Sequence, residues 1–356
     1  MVILHIACID NSPFSGVSVA VPQHVKAQSK RETVGFINAN GVKCESLDNQ
    51  IAYEKNFDVK KLPAPFDKPD IVIFHEVYCV EYLKICRNLL KNKIPYVIIA
   101  HGELRTEAQK HKWLKKTVAN ILLFNWFVSH AAAVQCLSQM EMDATSFGKR
   151  RFVGANGVEL PENKKCGFRK EGTHFVYVGR LDSQVKGLDL MLEAVRINAD
   201  SMRQSNCRLD MYGPDWAGRA AFVEGMICEK EIGDIVSLNP PVRGEEKESI
   251  LLDGDIFIQT SRHEGMPMGI LEALSYGIPC LITRGTNLGE IVENADAGWM
   301  AETDAESIAE KMEQAILERV RWEQKGEKAR ELIRATYTWE TVTEQMINQY
   351  KQLTKV

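Results

Sequence analysis

Twelve short apolar runs punctuate this chain, and amphipathic or turn-rich stretches separate them. They fall at residues 2–9, 34–37, 71–74, 96–100, 134–137 and 152–159, then at 175–178, 209–212, 235–238, 256–259, 281–283 and 298–300. The runs lack strict polar alternation, as in Ile71-Val72-Ile73-Phe74 and Ile256-Phe257-Ile258. A strand of that kind is buried on both faces, which is the condition of a parallel sheet. Strands alternating with helical stretches then demand crossover connections and helices on both faces of each sheet. The polar, turn-prone stretch 160–172 divides the series in two. Two domains are expected, one over residues 1–160 and one over 166–338, with a last amphipathic helix at 339–356. The apolar side chains of that helix, Trp339, Val342, Met346, Ile347 and Tyr350, must dock on something.

Bulk properties narrow the class. Hydrophobic content of 45% and charged content of 26% are ordinary for a globular protein. No apolar run approaches the roughly 20 residues that span a bilayer. The first seven residues are too short and lack the basic start of a signal peptide, so a cytoplasmic protein is expected. The 9 cysteines are scattered without a C-x-x-C pair, which fits a reducing compartment and argues against a disulfide frame or a zinc site. Residues 1–165 carry 22 Lys+Arg against 16 Asp+Glu, while the remainder carries 22 against 32. The basic half is too mildly charged for nucleic acid; an anionic membrane surface suits it better. Lys110, Lys112, Lys115 and Lys116, with Trp113, could form one face of a docking helix. A core helix with solvated lysines is the competing reading.

The most informative loop follows the run 256–258. Thr260-Ser261-Arg262-His263-Glu264-Gly265-Met266-Pro267-Met268-Gly269-Ile270-Leu271-Glu272 reads as strand end, loop and helix start. Open α/β sheets bind ligands at that place. Gly265 and Gly269 allow close backbone approach, and loop amides at a helix N-terminus attract an anion. Glu264 and Glu272 add carboxylates that suit hydroxyl groups. A loop offering amides to phosphate and carboxylates to hydroxyls fits a sugar nucleotide.

Other positions point the same way. Arg180 and Lys186 straddle one strand–helix loop, where a guanidinium fork and an ammonium can converge on a diphosphate. The small-residue loop 10–18 lies between the first strand and first helix and contains Gly16. It has no G-x-G-x-x-G, so a dinucleotide fingerprint is not met. His101-Gly102 ends a parallel strand, which sets His101 at the ligand-binding edge of its sheet. Asp253-Gly254-Asp255 has the look of a D-x-D metal motif, but it precedes a buried strand and reads as a turn. No metal is expected.

The E-x7-E string from Glu264 to Glu272 resembles the signature of the retaining glycosyltransferases of glycosyltransferase family 4. So do Val178-Gly179-Arg180-Leu181-Asp182 with Lys186-Gly187-Leu188-Asp189, and Ile94-Pro95-Tyr96 running to His101-Gly102. The resemblance implies a GT-B fold of class α/β, two facing Rossmann-like domains with a cleft between. It implies a nucleoside-diphosphate sugar on the C-terminal domain and a saccharide or lipid-linked saccharide acceptor on the N-terminal one. UDP-sugars are favoured over GDP-sugars, and bacterial surface polysaccharide synthesis is the expected setting. Arg180 and Lys186 would stabilise the leaving diphosphate, and Glu264 would sit by the donor sugar. The amides of Gly265, Met266, Met268 and Gly269 would line that pocket. Glu272 would hold the ribose, the backbone near Arg243 would border the base, and His101 would meet the donor sugar or orient the acceptor. No cofactor is implied beyond the co-substrate. An epimerase on the same fold and a catalytically silent nucleotide-sugar-binding protein are the alternatives.

Overall fold

The computed structural model describes the chain apart from residues 13, 14, 49, 107, 108, 110–116, 217 and 356. The proposed docking residues Lys110, Lys112, Trp113, Lys115 and Lys116 therefore lie outside the described residues. Two compact units form, one from residues 1–157 with 339–356 and one from residues 158–338.

In the first unit the strands are β1 (Val2–Ala7), β2 (Thr33–Asn38), β3 (Ile71–His75), β4 (Tyr96–Ile99), β5 (Ala133–Cys136) and β6 (Arg151–Val153). They lie in the order β2-β1-β3-β4-β5-β6, and every pairing is parallel. Beyond β2, Ile51 makes one parallel bridge to Ile37. Helix α1 (Gly16–Ser29) follows β1, and α2 (Glu81–Lys91) follows β3. Beneath α2, Phe74, Tyr82, Tyr96 and Phe127 pack as tilted, edge-on and stacked rings with centroids 4.9–6.0 Å apart. Aromatic pairs in such arrangements each add about 0.5–1.5 kcal/mol beyond area burial. The C-terminal helix Trp339–Leu353 packs on α1. Its Trp339 stands edge-on to His24 at 5.0 Å. Gly157 passes so close to Trp339 that a Cβ there would lie 2.6 Å from the indole.

The second unit has β7 (Thr173–Val178), β8 (Cys207–Tyr212), β9 (Val236–Asn239), β10 (Ile256–Gln259), β11 (Cys280–Thr283) and β12 (Gly298–Ala301). Their order is β12-β11-β10-β7-β8-β9, again all parallel. The connection reverses direction between β7 and β10, so the loops after these two neighbours flank the topological switch point. Helices α3 (Ser183–Lys186) and α4 (Leu188–Ile197) follow β7. Helix α5 (Gly244–Asp253) precedes β10, and α6 (Met268–Ser275) follows it.

Two expectations change. Helix α1 begins at Gly16 because the Ser15 side chain caps it, accepting from the Ser18 amide at 3.4 Å. The cysteine reading also needs correction, because Cys8 and Cys79 are joined by a disulfide. Cys8 follows β1 and Cys79 follows β3, and β1 and β3 are neighbours. Their Cα atoms are 6.6 Å apart across 71 residues of sequence. Linear spacing carries no sign of that approach. Among the described residues no helix is long and apolar enough to cross a membrane.

Candidate active site

The residues singled out in the sequence divide between the units. Arg180, Lys186, Arg243 and the 264–272 loop belong to the second; Gly16 and His101 belong to the first.

In the second unit two loops are tied edge to edge. The Arg262 amide donates to the Val185 carbonyl at 2.9 Å. The Thr260 hydroxyl donates to the Gly187 carbonyl at 2.9 Å. Gly187 has φ +63°, and a Cβ there would lie 2.1 Å from the Thr260 carbonyl oxygen, so only glycine allows this seam. Arg262 locks it with a bidentate pair to Asp189, 2.7 and 2.6 Å. The seam brings Lys186 onto Glu264, Nζ to Oε1 2.6 Å, with both side chains mostly buried. Ser261 Oγ at 2.8 Å and Gln259 Nε2 at 3.2 Å donate to the same carboxylate oxygen.

Beyond Glu264 the loop is held from outside. Asn287 Nδ2 donates to the Glu264 carbonyl at 2.5 Å and to the Gly265 carbonyl at 3.1 Å. Met266 and Pro267 are buried, while Met268 and Gly269 at the start of α6 are half-buried. One turn on, Glu272 forms an ion pair with Lys247 of α5. Arg243, extended at φ −151°, is the residue before α5. The Arg180 guanidinium lies over the Trp216 ring at 4.3 Å.

The D-x-D carboxylates serve the opposite edge of this sheet, at the start of β10. Asp255 is fully buried and accepts from the amides of Arg169 and His174 at 3.1 and 3.0 Å. Asp253 takes Arg169 in two bonds of 2.9 and 2.8 Å. Burial pushes the Asp253 carboxyl up, but its bonds to Arg169 outweigh this and hold it below the usual range.

In the first unit, the loop after β1 is governed by Asp10. Its carboxylate accepts from the Ser12 amide at 3.0 Å and the Ser18 hydroxyl at 2.7 Å. An anion arriving at the start of α1 would meet that charge. Among the described residues a Cβ on Gly16 would have nothing within 4 Å, so no described atom requires glycine there.

His101 sits at the C-terminal edge of β4 with left-handed backbone, φ +48°. Glu76, at the end of the neighbouring β3, is also left-handed at φ +65°. Strained non-glycine residues of this kind collect at working sites. Burial, then the charges of Glu103 and Asp10, raise the Glu76 carboxyl to about 8. His101 does not act alone. Its Nε2 is 3.1 Å from His75 Nδ1; His75 Nε2 is 2.8 Å from His5 Nδ1; His5 Nε2 is 3.0 Å from Gln28 Oε1. The rings stack at 5.4 and 5.1 Å. Burial pushes His5 and His101 down to about 3 and His75 well below its ordinary value, so the row is neutral.

Sequence reading missed Lys247, Asn287, Ser261, Gln259, His5, His75 and Glu76 as site residues. His5 and His75 did leave a signal: each is a lone imidazole in an otherwise apolar strand, Ile3-Leu4-His5-Ile6 and Ile73-Phe74-His75. A polar group buried in such a strand needs a partner.

Residues 160–339, half of the chain, match the family described as Glycosyl transferases group 1. The chain is 25% identical over 258 residues to a GDP-mannose:cellobiosyl-diphosphopolyprenol alpha-mannosyltransferase of Xanthomonas campestris, covering 67% of this chain and 64% of that one. It is 28% identical over 139 residues to an amylovoran biosynthesis glycosyltransferase of Erwinia amylovora, covering 37% and 33%. The chain thus spans about a third to two thirds of the length of these two relatives. Among solved structures, the Anabaena protein HepE in complex with UDP superposes with a TM-score of 0.73 at 14% identity, over 99% of this chain and 100% of that one. A sucrose-phosphate synthase from Thermosynechococcus elongatus gives 0.73 at 15%, over 99% and 98%. The α/β architecture of two six-stranded parallel sheets is the GT-B fold.

Proposed function

This chain belongs to the glycosyl transferases group 1 family, and we propose that it is a retaining glycosyltransferase of the family 4 type. It moves a sugar from a nucleoside-diphosphate sugar, with UDP favoured, to a saccharide or lipid-linked saccharide in the assembly of a bacterial surface polysaccharide. The observation that carries this reading is the Lys186–Glu264 pair at 2.6 Å on two loops at the switch point. A cation and a carboxylate held side by side on backbone seams offer the two chemistries that a sugar diphosphate requires. Lys186 faces the phosphates and Glu264 the sugar hydroxyls.

In this mechanism Arg180 and Lys186 take up the charge that develops on the departing diphosphate. The amides of Gly265, Met266, Met268 and Gly269 receive the donor. Glu272 binds the ribose hydroxyls, with Lys247 holding its carboxylate in place, and the backbone beside Arg243 borders the base. His101 addresses a sugar hydroxyl. The attacking hydroxyl gives its proton to the leaving phosphate. No metal is required, because two basic side chains occupy the cation's role and Asp253 and Asp255 are engaged by Arg169.

With a lipid-linked acceptor the enzyme, otherwise cytoplasmic, would work at the cytoplasmic face of a membrane. Support comes from the exposed apolar side chains Val118, Ile121, Leu122 and Leu123, with Ile121 and Leu122 68% and 69% exposed. They lie next in sequence to Lys112, Lys115 and Lys116. Apolar side chains beside a basic segment suit an anionic leaflet.

The test is transfer from a panel of UDP- and GDP-sugars to a polyprenyl-diphosphate saccharide, in excess EDTA, with the product anomer read by NMR. Retained configuration without metal is expected. Conversion of the donor alone, with no acceptor product, would make the protein an epimerase.

A further inference from the structure

The imidazole row in the first unit has a direction, and that direction can be followed from a backbone carbonyl to His101. Gln135 Nε2 donates to the Gly154 carbonyl at 2.8 Å. A carbonyl only accepts, so the Gln135 amide has one orientation. Its Oε1 then accepts from the Tyr350 hydroxyl at 2.7 Å. The one phenolic proton is spent there, and Tyr350 turns lone pairs to its other neighbour, Gln28.

Burial pushes the Tyr350 phenol up, and the Gln28 amide beside it acts in the lowering sense, as a donor side would. The contact is not a close bond, since Gln28 Nε2 is left without one. It sets the sense nonetheless: an amide oxygen on that side would oppose the lone pairs of Tyr350. Gln28 therefore presents Oε1 to His5, which must carry its proton on Nε2. His5 Nδ1 is then bare and accepts from His75 Nε2–H. His75 Nδ1 is bare in turn and accepts from His101 Nε2–H. Each neutral imidazole has one donor and one acceptor nitrogen, so no other assignment satisfies the row once Gln28 is fixed. His101 Nδ1 has no hydrogen-bond partner among the described residues.

We propose that Gln135, Tyr350, Gln28, His5 and His75 are positioning residues that hold His101 in the Nε2–H tautomer, with Nδ1 a bare acceptor. Resting on the glycosyl-transfer reading, the consequence is that His101 receives a hydrogen bond from a sugar hydroxyl. It cannot donate one from Nδ1 to a departing oxygen. Turning one amide, that of Gln28, would reverse all three imidazoles and put a proton on His101 Nδ1. The polarity of a site residue is thus set at the C-terminal helix, through Tyr350.

The experiment is long-range proton–nitrogen NMR on the full chain labelled with nitrogen-15 histidine, with His101 assigned from its loss in His101→Asn. In the wild type His101 is expected to be protonated on Nε2 and bare on Nδ1. Tyr350→Phe and Gln28→Leu release the row, and His101 is expected to show both tautomers. The kcat would be about twofold lower at unchanged donor KM, the loss that follows when half the molecules carry the wrong form. A wild-type His101 protonated on Nδ1 overturns the proposal. So does an Nε2–H tautomer that neither variant disturbs. If Tyr350→Phe fails to fold, Gln28→Leu and the wild-type spectrum still decide. Nucleotide-sugar turnover is measured on the same samples: no turnover beside a bare Nδ1 removes the transferase reading and leaves the relay standing.

Discussion

The two sheets share a parallel architecture and differ at their C-terminal edges. In the second unit that edge is ionic: Lys186 on Glu264, Lys247 on Glu272, Arg262 on Asp189. In the first unit it is a file of buried neutral imidazoles, with a carboxyl at Glu76 raised to about 8. Charges can sit at the second edge because seam, serine and amide hold them in pairs. The first edge is buried too deeply to carry charge on its histidines. Under the proposed function the contrast would separate two tasks, stabilising charge that moves and presenting a lone pair that does not.

The largest expected effect breaks the ionic edge. Lys186→Ala should lower kcat by about 10²–10³, or 2.7–4 kcal/mol, the cost of one charge-stabilising donor. Glu264 keeps Ser261 and Gln259 as partners but loses a mostly buried cation, so the melting temperature should fall as well, by far less than would explain the loss of turnover at 25 °C. Arg180→Ala should behave alike. Near wild-type turnover in the double variant would detach both cations from the chemistry.

Acid separates the units next. A histidine lowered from 6.5 stays neutral in the fold while the unfolded chain takes a proton, so stability falls as pH drops below 6.5. At pH 5.5 each of His5, His24 and His101, lowered to about 3, 4 and 3, costs about 1.4 kcal/mol, roughly 4 in all. His75 acts in the same direction. Glu76 has the opposite sign: raised from 4.5 to about 8, it loses stability as pH rises through that window. Going from pH 7.5 to 5.5 it returns about 2.5 kcal/mol. A net loss of at least about 1.5 kcal/mol, with His75 adding to it, should fall on the first unit. Hydrogen exchange at the two pH values, after correction for intrinsic rates, should show peptides of residues 1–157 losing protection before those of 158–338. Equal loss would mean that the imidazole row is not what sets acid stability.

How much of this was legible follows from where the information lay. The runs at 71–74 and 256–259 announced buried parallel strands, and the Glu264–Glu272 string announced a strand–loop–helix, because each signal is local. Gly187 and Lys186 are neighbours in sequence, so their loop could be read as well. That Lys247 faces Glu272 could not be read, because α5 and α6 meet only through the fold. The same holds for Cys8 with Cys79, and for His5, His75 and His101, which share an edge only because β1, β3 and β4 adjoin. Periodicity identifies a strand but not its neighbour.

Glu272 sharpens the ionic side. If it binds ribose, Glu272→Ala should raise the Kd for UDP about tenfold, near 1.4 kcal/mol. It should also erase the preference for UDP over its 2′-deoxy analogue. Lys247→Met should weaken UDP less, since the carboxylate remains. Calorimetric titration reads both, and an intact preference in Glu272→Ala would remove the ribose contact.

The smallest effect concerns Gly16, where the two edges are most easily confused. Glycine in a loop before a helix invites a phosphate reading, and the open space around Gly16 permits one. The Asp10 carboxylate, holding the Ser18 hydroxyl at 2.7 Å, argues that this helix start is already supplied with negative charge. Its pKa lies below the ordinary value, chiefly through that hydroxyl, so it stays ionised at neutral pH. Gly16→Ala adds a methyl group that meets no atom of the described residues, and stability should change by less than about 0.5 kcal/mol. The donor KM should rise no more than about threefold, or 0.7 kcal/mol. A rise above tenfold at unchanged melting temperature would mean that donor phosphate reaches the backbone at Gly16 despite Asp10. The first edge would then share the ionic work that the structure otherwise concentrates in the second.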